Sequence, residues 1–330
     1  MVKRLTALCL MITVLLSLAA CSKGDKAVTV NETEIGEGVF TYYLQRVMSE
    51  PKKYGVKEKT QENIISAAVT LCQKYAVTEE FMKTEGITLS NQLKQSAATE
   101  VEALWSLYGA YYESVGVKKT DITKVITHEN RMKQLVDYYY GAEGKSPVKE
   151  MDLKEEFVDL YVGFKVISAE LTKINDAGEK IELTQSEKDR LKKKFTAYAE
   201  KINRDDATID EVNVAYNDSI GLITTENLET VLIKKGDPMY GDGFFETIEA
   251  MSHERAGVLE DGNRLYLVQR QKIATTDEDA FYQYRSEVLE EIKMPEIEKK
   301  VKKLMKESEA DVKQRKALKI YDRLEEVKSK

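Results

Sequence analysis

A chain of 330 residues with 50 lysines and arginines against 57 aspartates and glutamates carries a net charge of −7, and 42% of it is hydrophobic. That acidic balance argues against a nucleic-acid partner. With only His128 and His253, a zinc site built from several histidines and cysteines is excluded, and no cofactor is expected. Neither histidine sits in a recognisable nucleophile motif and no glycine-rich phosphate loop occurs, so the chain advertises no catalytic centre.

The first element is a leader. Lys3 and Arg4 precede an apolar run, Leu5 to Leu18, that ends in Leu18-Ala19-Ala20-Cys21. A basic start, a short apolar stretch and small residues are the layout of a secretory signal. The run is about 14 residues, whereas a spanning helix needs roughly 20. Leu-Ala-Ala-Cys resembles a lipobox. That resemblance implies cleavage before Cys21, acylation of its thiol, and an extracytoplasmic protein anchored to the bacterial cell membrane. An ordinary secretory signal with a chance cysteine is the alternative. Without residues 1–20 the balance is 48 basic against 57 acidic residues, or −9. This predicts little direct attraction to anionic headgroups, so membrane contact falls to the lipid on Cys21, and stable anchoring generally needs more than one acyl chain. No later segment has 18 consecutive apolar residues. Cys9 leaves with the signal, which leaves Cys72 without a disulfide partner. Cys72 reads as a small core residue, with a reactive thiol as the alternative.

Residues 21–26 read as a tether. Ala27 to Val30 predicts a strand that turns at Asn31-Glu32 toward Ile35. Phe40, Tyr43, Leu44 and Val47 then mark a helix. A loop holds Pro51 and Gly55. Ile64, Ala68, Leu71, Cys72 and Tyr75 mark a second helix, running as far as Phe81 and stopping at Gly86. Leu93, Ala97, Val101, Leu104, Tyr108, Tyr111 and Val115 mark a third, ended by Gly116. Thr120 or Asp121 is expected to cap a fourth with Ile122, Val125, Ile126, Met132, Leu135, Val136 and Tyr139 on its buried side. Asp152 and Glu155 have capping-box spacing before Phe157 and Leu160.

The pattern changes near Gly163. Phe164 to Leu171 predicts a strand, Asp176-Ala177-Gly178 a loop, and Ser186 the start of a helix with Leu191, Phe195, Tyr198 and Ile202. Short segments follow at Val212 to Tyr216 and Gly221 to Ile223, then a short helix from Phe244 to Met251. Gly257 to Leu259, Asp261-Gly262 and Leu265 to Val268 predict a hairpin. Helix resumes from Asp277 with Phe281, Tyr284, Val288 and Ile292, and Pro295 is expected to break or restart it. Val312 to Leu324 reads as helix, with a short strand near Val312 as the alternative.

A helical arm, an α+β insert and a helical return behind a lipobox resemble the PrsA-type foldase lipoproteins and the SurA-type periplasmic chaperones. Val28-Thr29-Val30-Asn31-Glu32-Thr33-Glu34-Ile35 followed by Phe40-Thr41-Tyr42-Tyr43-Leu44 is similar to that family's opening, with Glu32 where glycine is usual. Gly86-Ile87-Thr88 resembles its joint between helices, and Phe281 to Ile292 its carboxy-terminal helix. The resemblance implies an α+β fold: residues 1–20 as signal, 27–161 and 275–330 as one helical SurA-N/PrsA-like chaperone domain, and 162–274 as an inserted parvulin-like domain of βαααβαββ-like order.

In that family the isomerase pocket carries two histidines on neighbouring central strands. Here the matching positions fall at Lys165 and near Arg264 or Leu265, and the Gly-Gly-Asp-Leu-Gly stretch is reduced to Ser219-Ile220-Gly221-Leu222. X-Pro rotation faces a barrier of roughly 20 kcal/mol, and a catalyst must favour the twisted amide. A charged lysine has no acceptor with which to replace a shared imidazole hydrogen bond. No residue is therefore assigned as catalytic. A degenerate pocket is expected near Lys165, Phe244, Phe245, Met251 and Leu265, where the aromatic residues either line a proline-sized space or are simply core. The resemblance implies a membrane-anchored folding factor for exported proteins with isomerase activity weak or lost. The alternatives are an active divergent prolyl isomerase and an envelope scaffold or solute-binding lipoprotein, the latter disfavoured by the lack of repeated βα units.

Clients would be unfolded or newly exported polypeptides. A holder needs apolar surface diluted by polar groups, and tyrosine, at 18 residues against 8 phenylalanines, suits it. Two readings stay open for the tyrosine clusters. One is ordinary amphipathic packing. The other is a client cradle lined by Trp105, Tyr108, Tyr112 and Met132, whose Trp105→Ser and Tyr112→Ser variant is expected to stay folded. A homodimer is left open. The Lys/Glu runs at Lys188 to Lys194 and Glu296 to Glu309 read as solvated helix faces.

Overall fold

The computed structural model describes residues 26–224, 227–241, 243–276 and 278–328. The leader, Cys21, residues 22–25 of the tether and Asp277 lie outside the described residues. The fold is α+β, helices with small antiparallel sheets. The chain divides into two units: the described residues of Met1–Pro147 together with Leu289–Lys330, and Val148–Val288.

The first unit opens with β1 (Lys26–Val30) and β2 (Thr33–Gly36), antiparallel about a turn at Asn31-Glu32. Asn31 takes φ 50°, a left-handed conformation that asparagine tolerates. Next, α1 (Glu37–Ser49) buries Val39, Phe40, Tyr43, Leu44 and Val47. A single 3-10 turn, Pro51–Tyr54, ends at Gly55 with φ 75°. Thr60 caps α2 (Gln61–Thr84) by accepting the Asn63 N–H at 3.2 Å. Ser90 caps α3 (Asn91–Ser114) by accepting the Leu93 N–H at 3.3 Å. α4 (Lys119–Tyr140) starts one residue before Thr120, so neither Thr120 nor Asp121 is its cap. Asp121 sits inside the first turn, where its carboxylate accepts the Lys118 N–H at 3.1 Å. Cys72, Ile122 and Val125 are fully buried in this bundle.

The second unit starts with α5 (Glu150–Leu160), preceded by Lys149. Asp152 and Glu155 are therefore interior positions rather than a capping box. Then come β3 (Tyr161–Glu170), a small exposed hairpin of β4 (Thr172–Ile174) and β5 (Lys180–Glu182), α6 (Gln185–Asn203), α7 (Ile209–Ser219), β6 (Val231–Lys234), α8 (Phe244–Ala250), β7 (Ala256–Asp261) and β8 (Arg264–Gln271). Thr184 and Thr208 open α6 and α7 with capping boxes closed by Glu187 and Glu211; α6 thus begins at Gln185 rather than Ser186. Two helices, not three, are described between β3 and β6, and the segment from Val212 to Tyr216 is helix. β7 and β8 form the expected hairpin, but Asp261 pairs with Arg264, so the two-residue loop is Gly262-Asn263 with Gly262 at φ 55°.

The four-stranded sheet has the order β6-β3-β8-β7, antiparallel throughout. Side chains alternate across it. Ile167, Ala169, Leu265 and Leu267 face α6 and α7, packing on Phe195, Ala199, Ile202, Ile209 and Val212. Val162, Phe164, Tyr266 and Val268 face the other way, packing on Phe244, Phe245 and Ile248. Both faces are covered. α5 and the first turns of α9 (Glu278–Lys306) group with this sheet unit, where Phe157 meets Phe281 edge-on at 6.0 Å.

α9 runs through Pro295 without a break, and Ile297 and Val301 beyond it, in the first unit, are buried. The buried stripe continues past the proline and holds the helix through the hydrogen bond the ring cannot donate. β9 (Ala310–Val312) pairs antiparallel with β1, Val28 opposite Val312 and Val30 opposite Ala310. α10 (Gln314–Lys328) then packs on α1 and α2 through Ala317, Ile320 and Leu324. No helix among the described residues is long and apolar enough to cross a membrane.

His128, on α4, is 3% exposed and lies 5.1 Å from the Tyr75 ring. Burial first, then the Lys74 and Arg131 charges, hold its imidazole neutral down to about pH 3, against an ordinary value of 6.5. Between those values the unfolded chain takes up a proton that the folded chain refuses, so stability is full above the upper value and falls as pH drops. Urea unfolding at pH 7 and pH 5 should show a loss of about 2 kcal/mol traceable to this group. In His128→Leu the pH-dependent loss should shrink by that amount.

Candidate functional site

The sheet residues expected to share a pocket do not converge. Lys165 pairs with Gln269 across β3 and β8 and points toward α7, where its Nζ meets Asp210 Oδ2 at 2.7 Å. Leu265 lies on the same sheet face, opposite Ala169, and is 1% exposed. Phe244, Phe245 and Met251 pack on the opposite face. The five residues are thus divided by the sheet itself, which corrects the expectation of one shared pocket. The reason is the period of a strand: Lys165 and Phe164 must point to opposite sides.

On the Lys165 side the chemistry is a closed ion pair. Partial burial opposes ionisation of Asp210, but the Lys165 ammonium and the Leu228 N–H, donated at 2.8 Å, outweigh it and lower its pKa. The carboxylate is held ionised, with its cation already in place. On the Phe244 side, the rings are spent on one another. Tyr240 stacks on Phe244 at 4.2 Å and 21°, and Tyr266 meets Phe244 edge-on at 5.3 Å. Phe244 and Phe245 are 5% and 8% exposed, so both are core. Among the described residues no group of His, Cys, Asp and Glu could hold a metal ion.

The helical unit offers more surface. Of the four cradle candidates, Tyr108 and Tyr112 come together, edge-on at 6.3 Å. Tyr112 is buried and also meets Tyr42 of α1 edge-on at 5.6 Å. Trp105 is half-buried with its indole over Gly109, where a Cβ would come within 3.1 Å of the ring. Met132 does not join them. It is 4% exposed, and its sulfur accepts the Thr78 hydroxyl at 3.7 Å on the α2 side. The cradle as expected is therefore corrected: Met132 and Tyr112 are core, Trp105 is half-buried, and Tyr108, 52% exposed, is the most open of the four.

What the sequence reading missed stands beside it. Leu107 is 72% exposed and Tyr111 36%. Leu107 carries a sequence signal, because it is apolar yet out of phase with the buried stripe of Ala97, Val101 and Tyr112. Alongside this patch, a cavity of about 280 Å³ is lined by Tyr42, Arg46, Glu100, Leu104, Tyr112 and Glu129, among others. Arg46 is ion-paired with Glu129 and lies 5.8 Å from the centre of the Tyr42 ring. Tyr138, Tyr139 and Tyr140 are engaged elsewhere, by the Lys145, Lys293 and Lys300 ammonium groups over their rings.

No protein-family model matches the chain, and no curated protein matches it. Among solved structures it is similar to the foldase protein PrsA from Streptococcus pneumoniae, at 13% identity over 86% of this chain and 93% of that one, with a TM-score of 0.40. It is similar also to the foldase protein PrsA from Lactococcus lactis, at 12% identity over 91% and 99%, TM-score 0.36. A SurA-like chaperone of Campylobacter jejuni is similar at 11% identity over 88% and 99%, TM-score 0.30.

The burial pattern separates neighbouring tyrosines. Tyr112→Ala should lower unfolding free energy by about 3 kcal/mol, as large-to-small changes in cores do. Tyr108→Ala should lower it by less than about 1 kcal/mol. Equal effects in urea titration would contradict the assignment of Tyr112 to the core, and with it the reason why a Tyr112→Ser variant is unsuited to probing a surface.

Proposed function

We propose that this chain is an extracytoplasmic folding factor, anchored through lipid on Cys21, that holds newly exported polypeptides on the α3 surface of its helical unit and relies on no isomerase chemistry. The observation that carries the reading is the exposed row of Leu107, Tyr108 and Tyr111. It is large, apolar and tipped with hydroxyls, and such a surface can hold unfolded segments and release them to water again. The leader and lipobox support placement outside the cytoplasm. The resemblance of the opening segment and of the helical joint to the PrsA and SurA families supports the assignment to folding, with residues 162–274 as a parvulin-derived module. The sheet unit supports the negative half of the proposal. An amide rotor needs an apolar cradle and placed polar groups together, and here the ion pair and the aromatic cluster lie on opposite faces.

Light scattering from an aggregating denatured client tests the holding role. The protein should suppress aggregation, and a Leu107→Ser, Tyr108→Ser, Tyr111→Ser variant should lose most of that effect without a change in thermal midpoint. Unchanged suppression in the folded variant would move the site elsewhere. A proline reporter peptide should show no acceleration of cis–trans exchange. A rate that rises with protein concentration and falls on Phe244→Ala would instead establish a divergent isomerase. Protein extracted from membranes should carry acyl mass on Cys21, and Cys21→Ser should abolish membrane retention.

A further inference from the structure

On the reading of α3 as a client surface, we propose that the surface selects apolar client segments carrying a lysine or arginine three or four residues from an aromatic one, with the cation received by Glu100 and Glu129 in the cavity beside α3.

Placement comes first. Glu100, Leu104, Leu107 and Tyr111 follow one another at steps of four, three and four residues, so they share one edge of α3. Tyr108 borders the same edge. Eight residues separate Tyr108 from Glu100, about 12 Å of helix at 1.5 Å per residue. An extended client advances about 3.3 Å per residue. A client aromatic resting on Tyr108 therefore brings a residue three or four positions away to Glu100.

Charge comes second. The cavity is lined by three carboxylates, Glu50, Glu100 and Glu129, and one cation, Arg46. Arg46 is engaged by Glu129, and Glu50 is paired with Lys53 at 3.1 Å. The neighbouring Lys133 is also taken, by Glu290 at 3.3 Å. Glu100 has no ion-pair or hydrogen-bond partner among the described residues. Partial burial, then the Glu129 charge, raises its carboxyl pKa against the opposing pull of Lys133 and Arg46, both of which are already paired with other carboxylates. An incoming ammonium or guanidinium supplies Glu100 with a cation.

Shape comes third. A volume of about 280 Å³ takes one long side chain and no large ring system. Its walls include Tyr42, Tyr112 and Leu104, apolar bodies along which a lysine or arginine stem can lie while its head reaches the carboxylates. Acidic client residues meet repulsion in the same place. The balance of −9 left without residues 1–20 adds a long-range bias in the same direction.

The test uses three labelled peptides, identical except at the position four residues from a single phenylalanine, which holds lysine, norleucine or glutamate. Fluorescence anisotropy against the full chain at low salt should rank lysine over norleucine by roughly five- to tenfold, the size of one ion pair plus one cation–ring contact, with glutamate weakest. Glu100→Gln should erase the lysine advantage and leave norleucine binding unchanged; because Glu100 is exposed, that variant should fold normally. The Leu107→Ser, Tyr108→Ser, Tyr111→Ser variant should weaken all three peptides. Equal affinity for lysine and norleucine overturns the selectivity while leaving the client surface standing. Failure of every peptide to bind overturns the client surface itself. Self-association that is lost in the triple variant and excludes the lysine peptide would assign the patch to a second copy of the chain and overturn the proposal.

Discussion

Three residue pairs between β1 and β9 hold the helical unit to its own return segment. Val28, Thr29 and Val30 face Val312, Asp311 and Ala310, and Asn31 completes the seam from both of its ends. Its side-chain oxygen accepts the Glu309 N–H at 3.0 Å, and its own N–H donates to the Glu309 carbonyl at 2.9 Å. Asparagine serves both needs, since it also tolerates the left-handed turn. Closing a loop this long has an entropic cost that grows only slowly with length, so a short seam can suffice if other contacts join it. They do: Glu37, at the start of α1, receives Lys316 at 2.9 Å and Arg323 at 3.1 Å from α10. The core of the first unit thus depends on residues that are synthesised last. Contacts of such sequence separation form slowly, and the whole of the sheet unit lies between the two halves in the chain.

The legible parts of this fold were those in which one period dominates. The α2 stripe of Ile64, Ala68, Cys72 and Tyr75 repeats often enough to fix the helix, and Gly86 beyond its end takes φ 67°, as a stop residue should. The hairpin of β7 and β8 was readable from its Asp-Gly turn, although the loop itself lies one residue further on. β6 was not readable. Four residues, Val231 to Lys234, make too short an apolar run to distinguish strand from loop, and only pairing with β3 decides it. Pro295 misled because its local preference loses to the buried stripe on both sides of it. The caps of α4 and α5 misled for a related reason: Asp121 and Asp152 lie inside the first helical turn rather than at its boundary.

The candidate site was half legible for the same physical reason. Composition and clustering pointed to tyrosines on α3, but which neighbour faces water is a matter of about 100° of helix rotation set by packing against α1 and α4. Tyr112 turns inward to Tyr42, Tyr111 turns outward, and no property of the Tyr-Tyr pair itself distinguishes them. Met132 shares its helix with Ile126, which lines the cavity beside α3, yet its sulfur is taken by Thr78 on α2. In the sheet unit, the alternation of a strand separated residues that a motif comparison had grouped. Lys165 was read as a poor substitute for an imidazole, and the structure adds that its charge is answered by Asp210.

Cys72 is the one cysteine among the described residues, and it is fully buried in the helical bundle. Burial pushes its thiol pKa well up, so the thiolate needed for disulfide exchange scarcely forms at neutral pH. Cys72 is thereby a redox bystander: shut in the bundle as a neutral thiol, it stays out of mixed disulfides even where thiols in the surrounding solution pair.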